Sequence, residues 1–235
     1  MFYWLLQSEE AHPALARGDP PSGLLSPIET AELTKFTCEA RRRDWLLGRW
    51  TAKRLLQQIA EQHCGYQVPL NSIIIATDRD GAPLTSFRQP LTGKAFSLSI
   101  SHSQGYALCG VIARPETPLG VDLEWVVPHD SDFAKAFLSL TEQKLIDEAV
   151  ERLVDLHVNA LWSAKESVVK ALRAVGRMDL RTIHCQLKPV LHEPQTWTPF
   201  SIDYPRVATP QNSSRRLTGW WQTVGGFVLT LVKPA

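Results

Sequence analysis

At 235 residues the chain has room for one large domain or two small ones, each with a core of useful size. Its 44% hydrophobic and 21% charged content is that of an ordinary globular protein and excludes disorder. A formal net charge of +1 excludes a global field that would gather nucleic acid or an anionic membrane.

In chain order, residues 1–8 read as a strand without the basic flank of a signal peptide. Gly18 to Pro27 is punctuated by Gly and Pro and reads as a loop. From Glu29 to about His63 apolar residues recur at helical spacing, as Leu46, Trp50, Leu56 and Ile59 do, and two helices are expected there. Residues 72–78 form a strand, 78–83 a turn, and 96–101 with 106–113 a hairpin. Beyond it come a strand over 119–126 and a helix over 131–138. Ser139 and Glu142 open a further helix running to about Val154 in a capping-box pattern. The segment 158–176 reads as a strong helix ending at Gly176. A strand over 183–190 follows, then a proline-rich stretch, 189–216, with no assigned element, then closing strands over 219–232. No stretch nears the roughly 18 apolar residues of a membrane span. Strands and helices mix without regular alternation, so an α+β fold is expected, and no sequence repeat is evident.

The cysteines Cys38, Cys64, Cys109 and Cys185 form no CxxC pair, which speaks against zinc or a disulfide framework and fits a reducing, cytoplasmic setting. Three clusters could carry chemistry. Asp122 and Glu124, two apart on a strand, share a face. With Val121, Leu123 and Trp125 turned into the core, that face is either solvated or a place where a cation relieves the repulsion between two carboxylates. Glu166 and Lys170 share a helix face with Trp162 one turn earlier; they are either a surface ion pair or a carboxylate and lysine serving phosphoryl transfer. Residues 99–103, SISHS, end a strand with serines and His102, which offer donors for phosphate oxygens. Between Lys35 and Arg54 seven basic residues stand against Glu39 and Asp44. They make a solvated face or one suited to a phosphate-rich ligand or an acidic protein partner.

Read together, LSISHS, GVDLE and WSAKESVVKAL stand in the order and near the spacing of the Ser-His, G-[IV]-D-[IV]-E and W-x-x-K-E-[SA]-x-x-K motifs. In this the chain resembles the Sfp-type 4′-phosphopantetheinyl transferases. The resemblance implies an α+β pseudo-dimer of two similar halves, 1–114 with coenzyme A-binding elements and 115–235 with metal-binding and catalytic motifs. The active site is then expected in the cleft between them. It implies transfer of 4′-phosphopantetheine from coenzyme A to a serine of an apo acyl, peptidyl or aryl carrier protein, with Mg²⁺ as cofactor. The alternative is a non-catalytic relative that only docks carriers or coenzyme A.

Residue by residue, Asp122, Glu124 and Glu166 match the metal ligands, and Glu166 is also the expected base toward the carrier serine. Lys170 matches the lysine at the pyrophosphate and leaving group. His102, Ser101, Lys165 and Arg43 match coenzyme contacts, and Glu142 is either an acidic residue near the metal or a helix cap. The length favours the monomeric group of that family, and the charge and hydropathy give no reason to expect a nucleic-acid or membrane partner. The chain departs from many relatives in reading Gly81-Ala82-Pro83 where they have Gly-Lys-Pro, which removes one expected coenzyme contact.

Overall fold

The computed structural model describes residues 1–88, 96–114, 117–188, 190–205 and 216–235. The chain divides into two compact units, Met1–Thr117 and Pro118–Ala235.

In the first unit β1 (Phe2–Ser8) is followed by the short helices α1 (Pro13–Ala16) and α2 (Pro27–Leu33) and the long α3 (Glu39–Cys64). Then come β2 (Ile73–Thr77), β3 (Pro83–Phe87), β4 (Ser97–Ser103) and β5 (Tyr106–Ile112). The strands form one antiparallel sheet in the order β1-β5-β4-β3-β2. Alternation turns Ile73, Ile75, Leu98, Cys109 and Val111 toward one face, where they pack with Ala52, Leu55, Leu56, Ile59 and Ala60 of α3. The 26 residues of α3 are made by that stripe.

The second unit has β6 (Gly120–Trp125), α4 (Ser131–Phe137), α5 (Leu140–Asp147) and the long α6 (Val154–Leu172). It closes with β7 (His184–Gln186), β8 (Thr198–Asp203), β9 (Leu217–Val224) and β10 (Phe227–Pro234). Its sheet runs β6-β10-β9-β8-β7. Counted within each unit, both sheets read first, fifth, fourth, third, second, and each has a long helix packed against it. The α+β expectation holds, with two halves of one topology.

A repeat that went unread in the sequence underlies this. Leu25-Ser26-Pro27-Ile28-Glu29 and Leu138-Ser139-Leu140-Thr141-Glu142 share L-S-x-x-E; Trp50-Thr51-Ala52-Lys53 and Trp162-Ser163-Ala164-Lys165 share W-[ST]-A-K. Ser26 and Glu29 form a capping box at α2, and Ser139 and Glu142 form one at α5. Each glutamate then reaches inward. Glu29 meets the Lys53 ammonium at 2.6 Å and accepts the Ile75 N–H at 3.3 Å. Glu142 meets Lys165 at 2.7 Å and accepts the Cys185 N–H at 2.9 Å. Both lysines are fully buried, 0% exposed, and also donate to backbone carbonyls, Leu24 for Lys53 and Leu180 and Ile183 for Lys165. In each unit one charge pair thus ties the short helix, the long helix and the sheet's far edge strand together.

Several boundaries differ from expectation. A 3₁₀ turn at Glu151–Leu153 feeds straight into α6, so that helix begins at Val154 rather than 158. It ends at Leu172, where Arg173 adopts the left-handed conformation (φ 53°) expected of Gly176. Helix α5 stops at Asp147, and the strand expected over 183–190 is realised only at His184–Gln186. Within 189–216, β8 forms where no element was assigned; residues 189 and 206–215 lie outside the described residues. Among the described residues no helix is long and apolar enough to cross a membrane.

Candidate functional site

The site begins with how closely α6 approaches β6. A methyl group on Gly120 would lie 1.8 Å from the Ser167 carbonyl oxygen, so only glycine lets the helix lie this near the strand. Small residues hold the rest of the contact: Thr230, opposite Asp122 on β10, bonds the Ser163 and Ser167 hydroxyls at 2.9 and 2.7 Å. The glycine of the G-V-D-L-E motif therefore sets helix-to-strand distance.

That approach brings the expected residues of the second unit together. Between Leu161 and Lys170 every position of α6 is buried except Trp162, Glu166 and Lys170, four residues apart and on one stripe. Lys170 Nζ lies 2.6 Å from Asp122 Oδ1 and also reaches the Val121 carbonyl at 3.3 Å. Trp162 donates its indole N–H to Glu124 Oε1 at 3.0 Å. Asp122 is not on a solvated face, as the alternation had allowed; it is 3% exposed, under α6, and Glu124 is half-buried. Val121 and Leu123 are buried on the opposite face as expected, but Trp125 is 40% exposed.

Electrostatics mark the same residues. Burial, and after it the Asp122 charge, pushes the Glu124 carboxyl up to about 7, against the Trp162 bond and Lys170. Glu166 is likewise held above the ordinary carboxylate range by burial and then by Asp122, with Lys170 opposing. One ammonium against three carboxylates leaves an excess of negative charge when all are ionised. Among the described residues no three His, Cys, Asp or Glu side chains converge into a complete metal cage. The donors are all hard oxygens, however, and magnesium is usually held by one or two carboxylates with phosphate and water filling its octahedron. Asp122, Glu124 and Glu166 are donors of that kind.

Lys165 does not fit the role expected of it. Its ammonium is 0% exposed and bonded to Glu142 and two carbonyls, so it has nothing left for a phosphate. Glu142 is the cap and the partner of Lys165, with both carboxylate oxygens engaged inside the unit. The L-S-x-x-E and W-[ST]-A-K repeat was the available signal. A lysine that recurs where there is no D-x-E strand belongs to the framework: β1 carries no acidic residue.

In the first unit the SISHS motif is divided by strand alternation. His102 shares the α3-facing side of β4 with Leu98 and Ile100, while Ser99 and Ser101 face the other way. His102 sits against Gly48 of α3: a methyl there would come within 2.4 Å of Nε2 and 3.2 Å of Ile100 Cγ2. Gly48, missed in the sequence, is what gives the imidazole room. Arg43 is exposed on α3, its side-chain stem over Gly18, while Arg42 donates to the Gly18 carbonyl at 3.0 Å. Of the seven basic residues, Arg49 and Lys53 are buried against Glu29, so the basic face is smaller than the sequence count implied.

The family model of the 4′-phosphopantetheinyl transferase superfamily matches residues 118–215. A Bacillus pumilus protein, 4′-phosphopantetheinyl transferase psf-1, is 30% identical over 141 residues, 60% of this chain and 53% of that relative's length. A Geobacillus kaustophilus holo-[acyl-carrier-protein] synthase is 32% identical over 101 residues, 42% of this chain and 76% of the relative. Among solved structures, the Helicobacter pylori holo-[acyl-carrier-protein] synthase in complex with coenzyme A is 19% identical with a TM-score of 0.39. It covers 48% of this chain and 98% of its own.

Proposed function

Because the chain belongs to the 4′-phosphopantetheinyl transferase superfamily, we propose that it transfers the 4′-phosphopantetheine arm of coenzyme A to a serine of an apo carrier protein. The observation that carries this reading is the Lys170–Asp122 pair flanked by Glu124 and Glu166, on the one stripe of α6 left open between Leu161 and Lys170. Asp122, Glu124 and Glu166 would hold Mg²⁺, which when bound supplies positive charge to the diphosphate oxygens. Lys170 places an ammonium beside the same group and stabilises the leaving 3′,5′-ADP.

The raised Glu166 carboxylate is the base. The bond from the serine oxygen to the β-phosphorus forms as the phosphorus–oxygen bond to 3′,5′-ADP breaks, and the serine proton passes to Glu166. A carboxylate lifted toward neutrality takes that proton more readily than an ordinary one. His102 and Arg43 of the first unit bind coenzyme A phosphates; Ser101, on the opposite face of β4 from His102, is left out of that set. With two copies of the topology in one chain, the protein acts as a monomer.

The test is mass spectrometry of a panel of apo carriers mixed with the protein, coenzyme A and Mg²⁺. A gain of one phosphopantetheine on a carrier, abolished by chelation, is expected. Binding of coenzyme A or carrier without any mass gain would mean a docking protein instead.

A further inference from the structure

We propose that Trp162 is a positioning residue for Glu124: its indole N–H orients the carboxylate, and an aromatic clamp from α4 holds the indole. This rests on the transferase reading above. Glutamate has three side-chain torsions to fix, and a half-buried carboxylate two residues from Asp122 is pushed away by that neighbour's charge. The indole N–H, a donor with no acceptor function, counters this at 3.0 Å from Oε1.

The indole itself cannot turn freely. Phe133 meets it edge-on with ring centroids 5.3 Å apart, and Phe137 does so at 4.7 Å. Behind Phe133 lies His129, stacked at 3.9 Å with an interplanar angle of 18°. His129 Nε2 meets Asn159 Oδ1 at 3.1 Å. The Asn159 amide donates to the Val127 and Asp155 carbonyls, leaving Oδ1 to accept, so His129 is the donor. The clamp is thus anchored on α6 itself and on the segment leaving β6.

The matching tryptophan of the first unit shows that the fold does not require this bond. Trp50 stands at the same place in the W-[ST]-A-K repeat, yet its buried Nε1 has no hydrogen-bond partner among the described residues. Its ring lies against His12, with the Arg54 guanidinium 5.7 Å from its centroid. An indole at this position serves packing in one unit and addresses a carboxylate only where the D-x-E strand runs beneath it.

Trp162→Phe keeps an aromatic ring for Phe133 and Phe137 and removes the N–H. In a Mn²⁺ titration followed by electron paramagnetic resonance with coenzyme A present, it should bind Mn²⁺ about tenfold more weakly, the size expected for losing a hydrogen bond to a charged acceptor. The urea midpoint and the coenzyme A KM should stay near wild type, and the effect should vanish in a Glu124→Ala background. If Trp162→Phe is unstable, Phe137→Leu, which loosens the clamp and leaves the indole, should show about a threefold loss in the same titration. Unchanged Mn²⁺ affinity in both variants, or an equal loss in the Glu124→Ala background, overturns the proposal. Wild-type protein that binds Mn²⁺ but modifies no carrier would sink the transferase reading and leave the Trp162 result standing.

Discussion

The two units share a topology, a capping box and a buried glutamate–lysine pair, and they differ in what the long helix shows on its open stripe. In the second unit that stripe is Trp162, Glu166 and Lys170 over a strand bearing Asp122 and Glu124. In the first, the positions matching Glu166 and Lys170 are Arg54 and Gln58, and β1 has no carboxylate at all. A repeated framework separates what holds the fold from what does chemistry: residues present in both copies are candidates for the former, residues present in one for the latter. Lys165 falls in the first group although it sits inside the family-like W-x-x-K-E motif, and its partner Glu142 falls there with it.

The largest expected effect sharpens the shared part. Lys165→Met should lower the unfolding free energy by about 3–5 kcal/mol, because it leaves the buried Glu142 without its counter-charge, and Lys53→Met should cost less, since Arg49 stays 3.8 Å from Glu29. Urea denaturation measures both. A stable Lys165→Met protein that has lost coenzyme A affinity would return Lys165 to the binding site.

The next effect tests the asymmetry. Glu166→Gln should slow transfer at saturating Mg²⁺ by at least about a hundredfold, roughly 2.7 kcal/mol, and Lys170→Ala should do so comparably. Gln58→Ala, at the position matching Lys170, should leave kcat within about twofold, as surface substitutions do. If Glu166→Gln retains a tenth of the activity, Glu166 is not the base. For Asp122 the informative change is Asp122→Asn, since alanine beneath Lys170 would combine a structural and a chemical loss.

A smaller effect is expected in the first unit. His102→Ala should raise the coenzyme A KM about five- to tenfold with kcat largely kept, the pattern of a contact remote from the reacting phosphorus. Gly48→Ala, whose methyl would displace the imidazole, should reproduce it without removing a polar group. A collapsed kcat at normal KM in either variant would make His102 part of the chemistry.

The smallest effect is a slope in pH. Glu124 takes up its proton at about 7 in the folded chain and near the ordinary carboxylate value once unfolded. Between those values the folded state holds a proton that the unfolded state has lost. This group's contribution therefore stabilises the metal-free protein at about pH 5 and is lost as pH rises through 7. Thermal melts in chelator from pH 5 to 8 should show that decline, and Glu124→Gln should flatten it. An unchanged slope in Glu124→Gln would mean that Glu124 is ionised throughout.

Much of this was legible in residue order. Both partners of each capping box, the D-x-E strand, the E-x-x-x-K helix face and their family-like spacing are local patterns, and local geometry fixes which residues share a face. The same rule split Ser101 from His102, a consequence of alternation that the motif reading passed over. The boundaries of α6 were misplaced because helix ends depend on flanking turns: the 3₁₀ entry at Glu151–Leu153 and the left-handed Arg173 carry no strong local signal.

From the sequence alone came the family, the α+β class and the shortlist of carboxylates and lysines, since residue type and spacing determine local structure and chemical capacity. Only the tertiary structure decided which face of each element is covered and how deeply. Periodicity names a face but not its neighbour. The neighbour depends on whether backbones can close to contact, as Gly120 allows α6 and β6 to do, and on whether a buried charge finds its counter-charge. For that reason Asp122 lies beneath Lys170, while Lys165, one position before Glu166 on the same helix, points into the interior toward Glu142.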